Sequence, residues 1–115
     1  MAQNVIYVLA KKYSLRIIKL HLYLIQEKRE FVISKQLYRS STSIGANIAE
    51  SFYAQSEADY VNKLKISLKE ASESEFWIEL LRDTGYITEQ QADSMLQDCQ
   101  ELLKLLMSIV KTSKQ

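Results

Sequence analysis

The sequence contains no proline and only two glycines among its 115 residues. Tight turns between β-strands depend on these residue types, so the composition disfavours a strand-rich fold. Hydrophobic residues make up 47% of the chain and charged residues 25%, which are ordinary values for a globular protein. At this length we expect a single domain, residues 1–115, that buries its core without a metal or a disulfide.

Cysteine and histidine are each present once, as Cys99 and His21, and this scarcity limits the available chemistry. One thiol excludes an internal disulfide and fits a reducing compartment, and apolar neighbours on the helical wheel favour a core role for Cys99 over a reactive one. A structural zinc site needs about four nitrogen or sulfur ligands, which the chain cannot supply. No nucleophile elbow or glycine-rich phosphate loop is present. We therefore expect no enzymatic activity, no metal and no cofactor.

Long hydrophobic runs are also missing. The basic residues Lys11, Lys12, Arg16 and Lys19 interrupt the first apolar segment, so it falls short of the ~18 to 20 residues of a membrane span. Residues 1–10 lack the basic start, apolar core and cleavage site of a secretory signal. These features predict a soluble, cytoplasmic protein that does not enter a membrane.

Four helical segments account for almost the whole chain. Ser56 and Thr88 each begin a capping-box pattern, and Gly85 is placed to be the left-handed residue after the third helix. Short connections make neighbouring helices antiparallel, so the sequence predicts an all-α fold, an antiparallel up-down-up-down four-helix bundle. The predicted helices run from about Asn4 to Glu27, from Ser34 to Ala54, from Ser56 to Thr84 and from Thr88 to Lys111.

The first and third helices carry two apolar stripes each, whereas the fourth carries one. The core-facing stripes are Ile6, Leu9, Tyr13, Ile17, Leu20 and Leu24 on the first helix, Tyr60, Leu64, Leu68, Ala71 and Ile78 on the third, and Ala92, Leu96, Cys99, Leu103, Leu106 and Val110 on the fourth. The second stripes are Val8, Leu15, Ile18, Leu22 and Ile25 on the first helix, and Ile66, Phe76, Trp77 and Leu80 on the third. A monomeric bundle buries one stripe per helix, so we predict that the second stripes line a contact between subunits. A monomer with an unusually apolar surface is the alternative.

The second helix has an ordered polar side. Arg39, Ser43, Asn47 and Glu50 lie on one face of the segment Gln36–Phe52, opposite its apolar residues. Glu75 of the third helix lies between the core positions Ala71 and Ile78 and needs a partner if buried, for which Arg39 and Arg82 are candidates. We predict that Arg39, Ser43, Asn47, Glu50 and Glu75 form a structural polar network. A solvated face and a ligand site are the alternatives.

The same segment resembles the motif of the bacterial four-helix-bundle proteins encoded in intervening sequences of 23S ribosomal RNA genes. The matching residues are Gln36, Arg39-Ser40, Ser43-Ile44 and Asn47-Ile48-Ala49-Glu50. The chain departs from the motif at Val32, where that family commonly has proline, and at Ser51, where it commonly has glycine. The resemblance implies a four-helix bundle that assembles into a homopentamer, and it brings no settled biochemical role.

Charge is unevenly distributed along the chain. The net charge is +6 over residues 1–39, −8 over residues 40–102 and +3 over the last thirteen. Basic helices packed beside acidic ones, within or between subunits, would explain this distribution, and so would a positive face for nucleic acid. The candidate for such a face is a stripe of Lys12, Arg16 and Lys19 with Tyr23 one turn further on, because cations at this spacing follow phosphates and an aromatic ring stacks on a base.

Two functional hypotheses therefore stay open. One is a homo-oligomer associated with RNA through the basic stripe. The chain also has a more remote resemblance to the accessory variability determinant of diversity-generating retroelements. That protein looks like a pentameric barrel that binds nucleic acid and a reverse transcriptase, so this resemblance supports the RNA hypothesis. The alternative is a self-assembling scaffold or adaptor that binds a protein partner.

Overall fold

The structure, a computed structural model, describes residues 2–113, with side chains from Val5 onward. Its four helices are α1 (Ala2–Glu27), α2 (Ile33–Ser51), α3 (Glu57–Asp83) and α4 (Glu89–Thr112), and the described residues form no strand. The predicted all-α fold is confirmed. The boundaries agree with the prediction within one residue, except that α1 begins at Ala2 rather than Asn4 and α2 ends at Ser51 rather than Ala54.

The helices pack as an antiparallel four-helix bundle. Glu50, near the end of α2, contacts Lys63 near the start of α3, and Arg39, near the start of α2, contacts Glu70 further along α3. Both α1 and α3 contact α2 and α4, so α1 and α3 lie on one diagonal of the bundle. The bundle measures 44 × 20 × 19 Å, which fits α1, whose 26 residues span about 39 Å. The predicted up-down-up-down topology is confirmed.

All four helices contribute to one hydrophobic core. On α1 the predicted stripe is confirmed: five of its residues are buried, and Leu9 is half-buried against the core. On α4 the buried stripe is wider than predicted, because Leu102 is fully buried while Leu103 and Val110 are half-buried. Leu102 follows Asp98 by one helical turn, on the side of α4 that contacts α1, and this second neighbour explains its burial.

Local side-chain chemistry sets the boundaries of α3 and α4. The Thr88 hydroxyl accepts the Gln91 N–H at 3.0 Å and the Gln91 side chain accepts the Thr88 N–H at 2.9 Å, so the predicted capping box is present. Gly85 has φ +84°, and the N–H groups of Gly85 and Tyr86 return to the carbonyls of Arg82 and Leu81. This Schellman motif needs the left-handed conformation that glycine adopts without strain.

The α3 cap differs from a full capping box. Ser56 accepts the Asp59 N–H at 3.0 Å, but the Asp59 carboxylate accepts the N–H of Gln55 rather than that of the cap residue. The shorter aspartate side chain replaces the usual glutamate or glutamine, and only one half of the reciprocal pattern forms. The bond from the Gln55 N–H to the Asp59 carboxylate still ties the preceding loop to the first turn of α3.

The start of α2 depends on a residue outside the helix. Val32, the residue at the N-cap, makes no capping side-chain bond, and the Glu30 carboxylate instead accepts the N–H groups of Val32, Ile33 and Ser34 at 3.1, 3.0 and 2.6 Å. Glu30 is only 7% exposed. The preceding Arg29 has φ +54°, a left-handed conformation that turns the chain just before α2. The Glu30 side chain lies over the N-terminal end of this helix. Three backbone donors thereby find an acceptor.

Candidate functional site

The outer face of α1 carries a line of exposed aliphatic side chains. Val8, Leu15 and Leu22 are 62%, 55% and 44% exposed, and they follow one another at intervals of seven residues. That spacing places them along about 21 Å of one helical face. Ile18 and Ile25 lie half-buried beside this line. The second stripe of α1 therefore lies on the surface of the isolated subunit, and its role as an interface stays a prediction.

A second apolar patch lies on the outer face of α3. Phe76 is 51% exposed and packs edge to face on Trp77, with 5.1 Å between the ring centroids. Ile66, Trp77 and Leu80 are half-buried. The indole Nε1 of Trp77 donates to the Glu73 carboxylate at 3.0 Å, and this bond, assisted by Arg39, lowers the pKa of Glu73. We call Ile66, Phe76, Trp77 and Leu80 the α3 patch, and Val8, Leu15 and Leu22 the α1 line.

The basic stripe is not a set of three free cations. Lys12 and Lys19 are exposed and form no ion pair with any described residue, and Tyr23 beside them is 39% exposed. Arg16 instead reaches across to α4, where its guanidinium contacts Asp98 at 2.6 Å and donates to the Ser94 hydroxyl at 2.7 Å. The Asp98 side chain is 30% exposed, so this pair is a partly solvated link between the first and last helices. Arg16 is therefore already engaged within the subunit.

The polar face of α2 makes three ion pairs with α3. The Arg39 guanidinium contacts both Glu70, at 3.3 Å, and Glu73, and these carboxylates raise the pKa of Arg39, Glu73 contributing most through its hydrogen bond. Further along, Lys63 contacts Glu50 at 2.9 Å. Half of the Arg39 side chain is exposed, and surface pairs of this kind contribute only about 0–1 kcal/mol to stability.

The remaining members of the predicted network make separate contacts. Asn47 donates to the carbonyl and hydroxyl oxygens of Ser43, at 2.9 and 3.1 Å, within α2 itself. Glu75 accepts a hydrogen bond from Gln100 of α4 at 3.1 Å, where the sequence had suggested Arg39 or Arg82. Glu75 is only half-buried, so a neutral amide suffices as its partner. The structure thus divides the five predicted residues among four local contacts rather than joining them in one network.

A buried polar chain that sequence patterns did not indicate crosses the core. The Tyr13 hydroxyl lies 2.6 Å from the Ser74 hydroxyl, which lies 2.7 Å from the Ser41 hydroxyl, and all three residues are fully buried. This row of hydroxyl groups joins α1, α3 and α2, and the Tyr13–Ser74 contact links α1 and α3, which lie on a diagonal of the bundle. Burial raises the pKa of Tyr13 well above its ordinary value. The only sequence signal for this buried polar chain was the spacing of serines three to four residues from core positions, and that signal is weak.

Cys99 adds a fourth helix to this region of the core. Its thiol is fully buried and donates to the Ala71 carbonyl at 3.3 Å. Burial raises the pKa of the Cys99 thiol to about 11, so the thiol stays protonated near neutral pH. The core role predicted for Cys99 agrees with this geometry.

Within the described part of the chain, no three or more His, Cys, Asp and Glu residues gather in a way that would bind a metal ion. His21 stacks on the ring of Tyr38 with 4.8 Å between centroids, which is a packing contact between α1 and α2. None of the helices described is both long enough and apolar enough to span a bilayer. The α1 line and the α3 patch are exposed apolar surfaces on α1 and α3, and the described surface also exposes Phe31, Val32 and Tyr53 in the loops.

Comparison with known proteins places this geometry in a family. A solved crystal structure is 52% identical over 97% of this chain and 100% of its own, with a TM-score of 0.95. It is described as a protein of unknown function from the S23 ribosomal protein family, from Bacteroides thetaiotaomicron VPI-5482. No curated protein matches the chain. The family model described as 23S rRNA-intervening sequence protein matches residues 2–108, and the chain belongs to that family.

Proposed function

We propose that this protein is a non-enzymatic building block that assembles with copies of itself, and that the α1 line and the α3 patch are its contact surfaces. The exposed α1 line is the observation that carries the proposal. Its three residues are each more than 40% exposed, although they lie on a helix whose opposite face already fills the core. Burying apolar surface yields roughly 25 cal/mol per Å2, so a line of this length is worth several kcal/mol to association.

The half-buried neighbours Ile18 and Ile25 widen the α1 surface on one side. The assembly proposed is a ring of five copies, which is the arrangement that the family resemblance implies. A ring gives every copy the same environment and would cover the α1 line and the α3 patch of each copy. The proposal places the protein in the cytoplasm, where a lone thiol stays reduced.

Light scattering coupled to size-exclusion chromatography tests the assembly. The natural protein should have about five times the subunit mass of 13.4 kDa, and Leu15→Glu and Leu22→Glu should each shift it toward a single subunit. Ser108→Glu is the matched control, because it adds the same charge at an exposed position of α4 outside both surfaces. A 13.4 kDa natural protein at micromolar concentration would contradict the proposal.

RNA association is the second candidate function, and the exposed Lys12 and Lys19 without intramolecular partners favour it. Tyr23 lies alongside and offers a ring on which an unpaired base could stack. Arg16 is less available than the sequence indicated, because contact with a phosphate would compete with Asp98. Two lysines per subunit form a shallow site, and because they lie beside the α1 line, RNA and a second copy would compete for this face of α1.

A filter-binding titration with structured ribosomal RNA at low and moderate salt tests this candidate. Binding should weaken steeply with salt, and Lys12→Glu/Lys19→Glu should abolish it. Lys104→Glu/Lys111→Glu is the control, since it makes the same charge change at exposed positions of α4. Equal binding by both double variants, or no binding at low salt, would remove the RNA candidate and leave a scaffold for a protein partner.

A further inference from the structure

The loop between α1 and α2 presents two consecutive apolar side chains to solvent. Phe31 is 55% exposed and Val32 is 73% exposed, so both are at least as exposed as Leu15 at the centre of the α1 line. They lie at one end of the bundle, after α1 ends and before α2 begins. Neither residue belongs to the α1 line or the α3 patch, so the proposed self-association does not account for their exposure.

The cap of α2 withdraws the one carboxylate that lies next to this pair. The Glu30 side chain is only 7% exposed, and it accepts the N–H groups of Val32 and Ile33 at 3.1 and 3.0 Å. Its negative charge is thus directed at the backbone donors and at the positive end of the α2 dipole. The apolar pair has no exposed acidic group within the loop itself.

Cations border the apolar pair on both sides. Lys28 and Arg29 precede it and Lys35 follows it; all three are exposed, and none forms an ion pair with a residue that the structure describes. Glu27 is the one exposed carboxylate of the segment 27–35. Three exposed cations against one exposed carboxylate leave this surface with a net charge of +2.

The other two loops do not combine exposed apolar groups with positive charge. Tyr53 in the α2–α3 loop is 87% exposed, but residues 40–62 contain three carboxylates and no lysine or arginine. The α3–α4 loop, residues 84–88, exposes no large apolar side chain, and the exposed Asp83 and Glu89 flank it. It lies on the opposite edge of the bundle end from the α1–α2 loop, because it joins the other two helices.

We propose that the α1–α2 loop docks on an anionic phospholipid surface. Phe31 and Val32 reach the boundary between headgroups and acyl chains, and the bordering cations contact the lipid phosphates, an arrangement that suits the bilayer interface. Two side chains offer far less area than the roughly 800 Å2 per partner of a stable protein interface. Val32 offers nucleic acid neither a stacking ring nor a hydrogen bond. The contact requires no helix within the bilayer, so it revises the expectation from the sequence only at the membrane surface, and each subunit carries it whether or not it self-associates.

Co-sedimentation with lipid vesicles tests the proposal. The natural protein should bind vesicles made of equal parts of phosphatidylglycerol and phosphatidylcholine, and it should not bind vesicles of phosphatidylcholine alone. Phe31→Ser/Val32→Ser should lower the partition coefficient on the anionic vesicles by about tenfold or more, because it removes the apolar contact. Lys28→Glu/Lys35→Glu should abolish binding, because it places carboxylates against the lipid phosphates.

Three matched variants serve as controls for the position of the contact. Tyr53→Ser removes an exposed aromatic ring from the loop at the opposite end of the bundle. Lys104→Glu/Lys111→Glu makes the same charge change at exposed positions of α4, and Lys12→Glu/Lys19→Glu makes it on α1. All three should bind the anionic vesicles within about twofold of the natural protein, since a surface lysine far from the docked loop contributes little.

A fluorescent label reports the contact in a chain whose apolar tip is largely kept. A nitrobenzoxadiazole group attached to the introduced thiol of Val32→Cys should shift its emission to shorter wavelengths on anionic vesicles, and the same label on Tyr53→Cys should not. Labelling is directed to the introduced thiol, because Cys99 is buried. Melting temperatures of all variants show whether a loss of binding reflects a loss of folding, and the labelled chain decides the question if Phe31→Ser/Val32→Ser is destabilised.

Several outcomes would overturn the proposal. They are no binding of the natural protein to anionic vesicles at low salt, full binding by Phe31→Ser/Val32→Ser, and an unshifted label at position 32. Loss of ribosomal RNA binding in Lys28→Glu/Lys35→Glu, with no vesicle binding by the natural protein, would assign the loop to nucleic acid instead. None of these results bears on the mass of the protein in solution, so the proposed self-association is tested separately.

Discussion

Each of the two faces of α1 contains a side chain that departs from the usual distribution of polar and apolar groups. On the inner face the Tyr13 hydroxyl is fully buried, 2.6 Å from Ser74, and two residues away on the outer face Leu15 is 55% exposed. The buried hydroxyl is stable because its hydrogen bonds are complete within the subunit. Leu15, in contrast, is left more than half exposed by the subunit. The polarity of a side chain alone therefore does not indicate whether it is buried. The two faces differ in whether the subunit itself supplies the hydrogen bonds or apolar contacts that the side chain needs.

The largest expected effect comes from truncating the inner face. Ile17→Ala removes a fully buried side chain from the core and should lower the free energy of unfolding by about 2–5 kcal/mol. Leu15→Ala, on the outer face of the same helix, should change the stability of the dissociated subunit by less than about 0.5 kcal/mol. Denaturant unfolding at low and high protein concentration measures both. Equal losses in the dissociated subunit would remove the distinction between the faces.

Alkaline pH should weaken the inner region next. The pKa of Cys99 is raised from 9.0 to about 11 in the folded protein, so folding favours the protonated thiol. Its contribution to stability is complete below pH 9 and is lost as the pH rises through 11, when the folded protein also ionises. The full shift corresponds to roughly 3 kcal/mol. Urea unfolding between these pH values should show a shallower decline for Cys99→Ala than for the natural protein, and identical slopes would contradict the assignment.

The buried polar chain should respond to loss of its central member. Ser74→Ala leaves the Tyr13 and Ser41 hydroxyls without their shared partner and should cost about 1–3 kcal/mol. Ser72→Ala, an exposed serine on the same helix, is the matched control and should stay within about 0.5 kcal/mol. Thermal or chemical unfolding checks the difference. If the two variants were equally stable, the buried chain would have no energetic role.

The smallest expected effect concerns the cap of α2. Glu30→Ala removes the acceptor of three backbone N–H groups and should destabilise the protein by about 0.5–2 kcal/mol. Glu27→Ala, exposed at the end of α1, should have little effect. Amide hydrogen exchange should show faster exchange at the first turn of α2 in the Glu30 variant. Unchanged exchange there would mean that water replaces the carboxylate without cost.

Local chemistry explains which features were predictable from the sequence. The caps at Thr88 and Gly85 depend on residues within one turn, and the stripe on α1 depends on helical periodicity, so both were predicted correctly. Contacts between helices have no such local signal. Arg16 meets Asp98, a residue 82 positions away, and this pairing removed Arg16 from the set of free cations. Whether a polar side chain faces a partner helix or solvent depends on helix packing, which the pattern of one helix does not specify.

The same limitation applies to the polar residues of α2. Their common face was predicted from spacing, but the partners Glu70, Glu73 and Lys63 lie on α3 and are selected by the register of the two helices. Glu30 was missed for a different reason. It acts on α2 from outside the helix, and this requires the left-handed Arg29, a conformation that the sequence around it does not indicate.

The mass of the natural protein in solution tests most directly whether the outer face of α1 is completed by another copy. Sedimentation equilibrium over a series of protein concentrations measures this mass without substitution or label. The account predicts a single species of about five times 13.4 kDa at micromolar concentration, with dissociation only on dilution. A mass of 13.4 kDa throughout the series would contradict it, because the α1 line would then be an ordinary solvated surface.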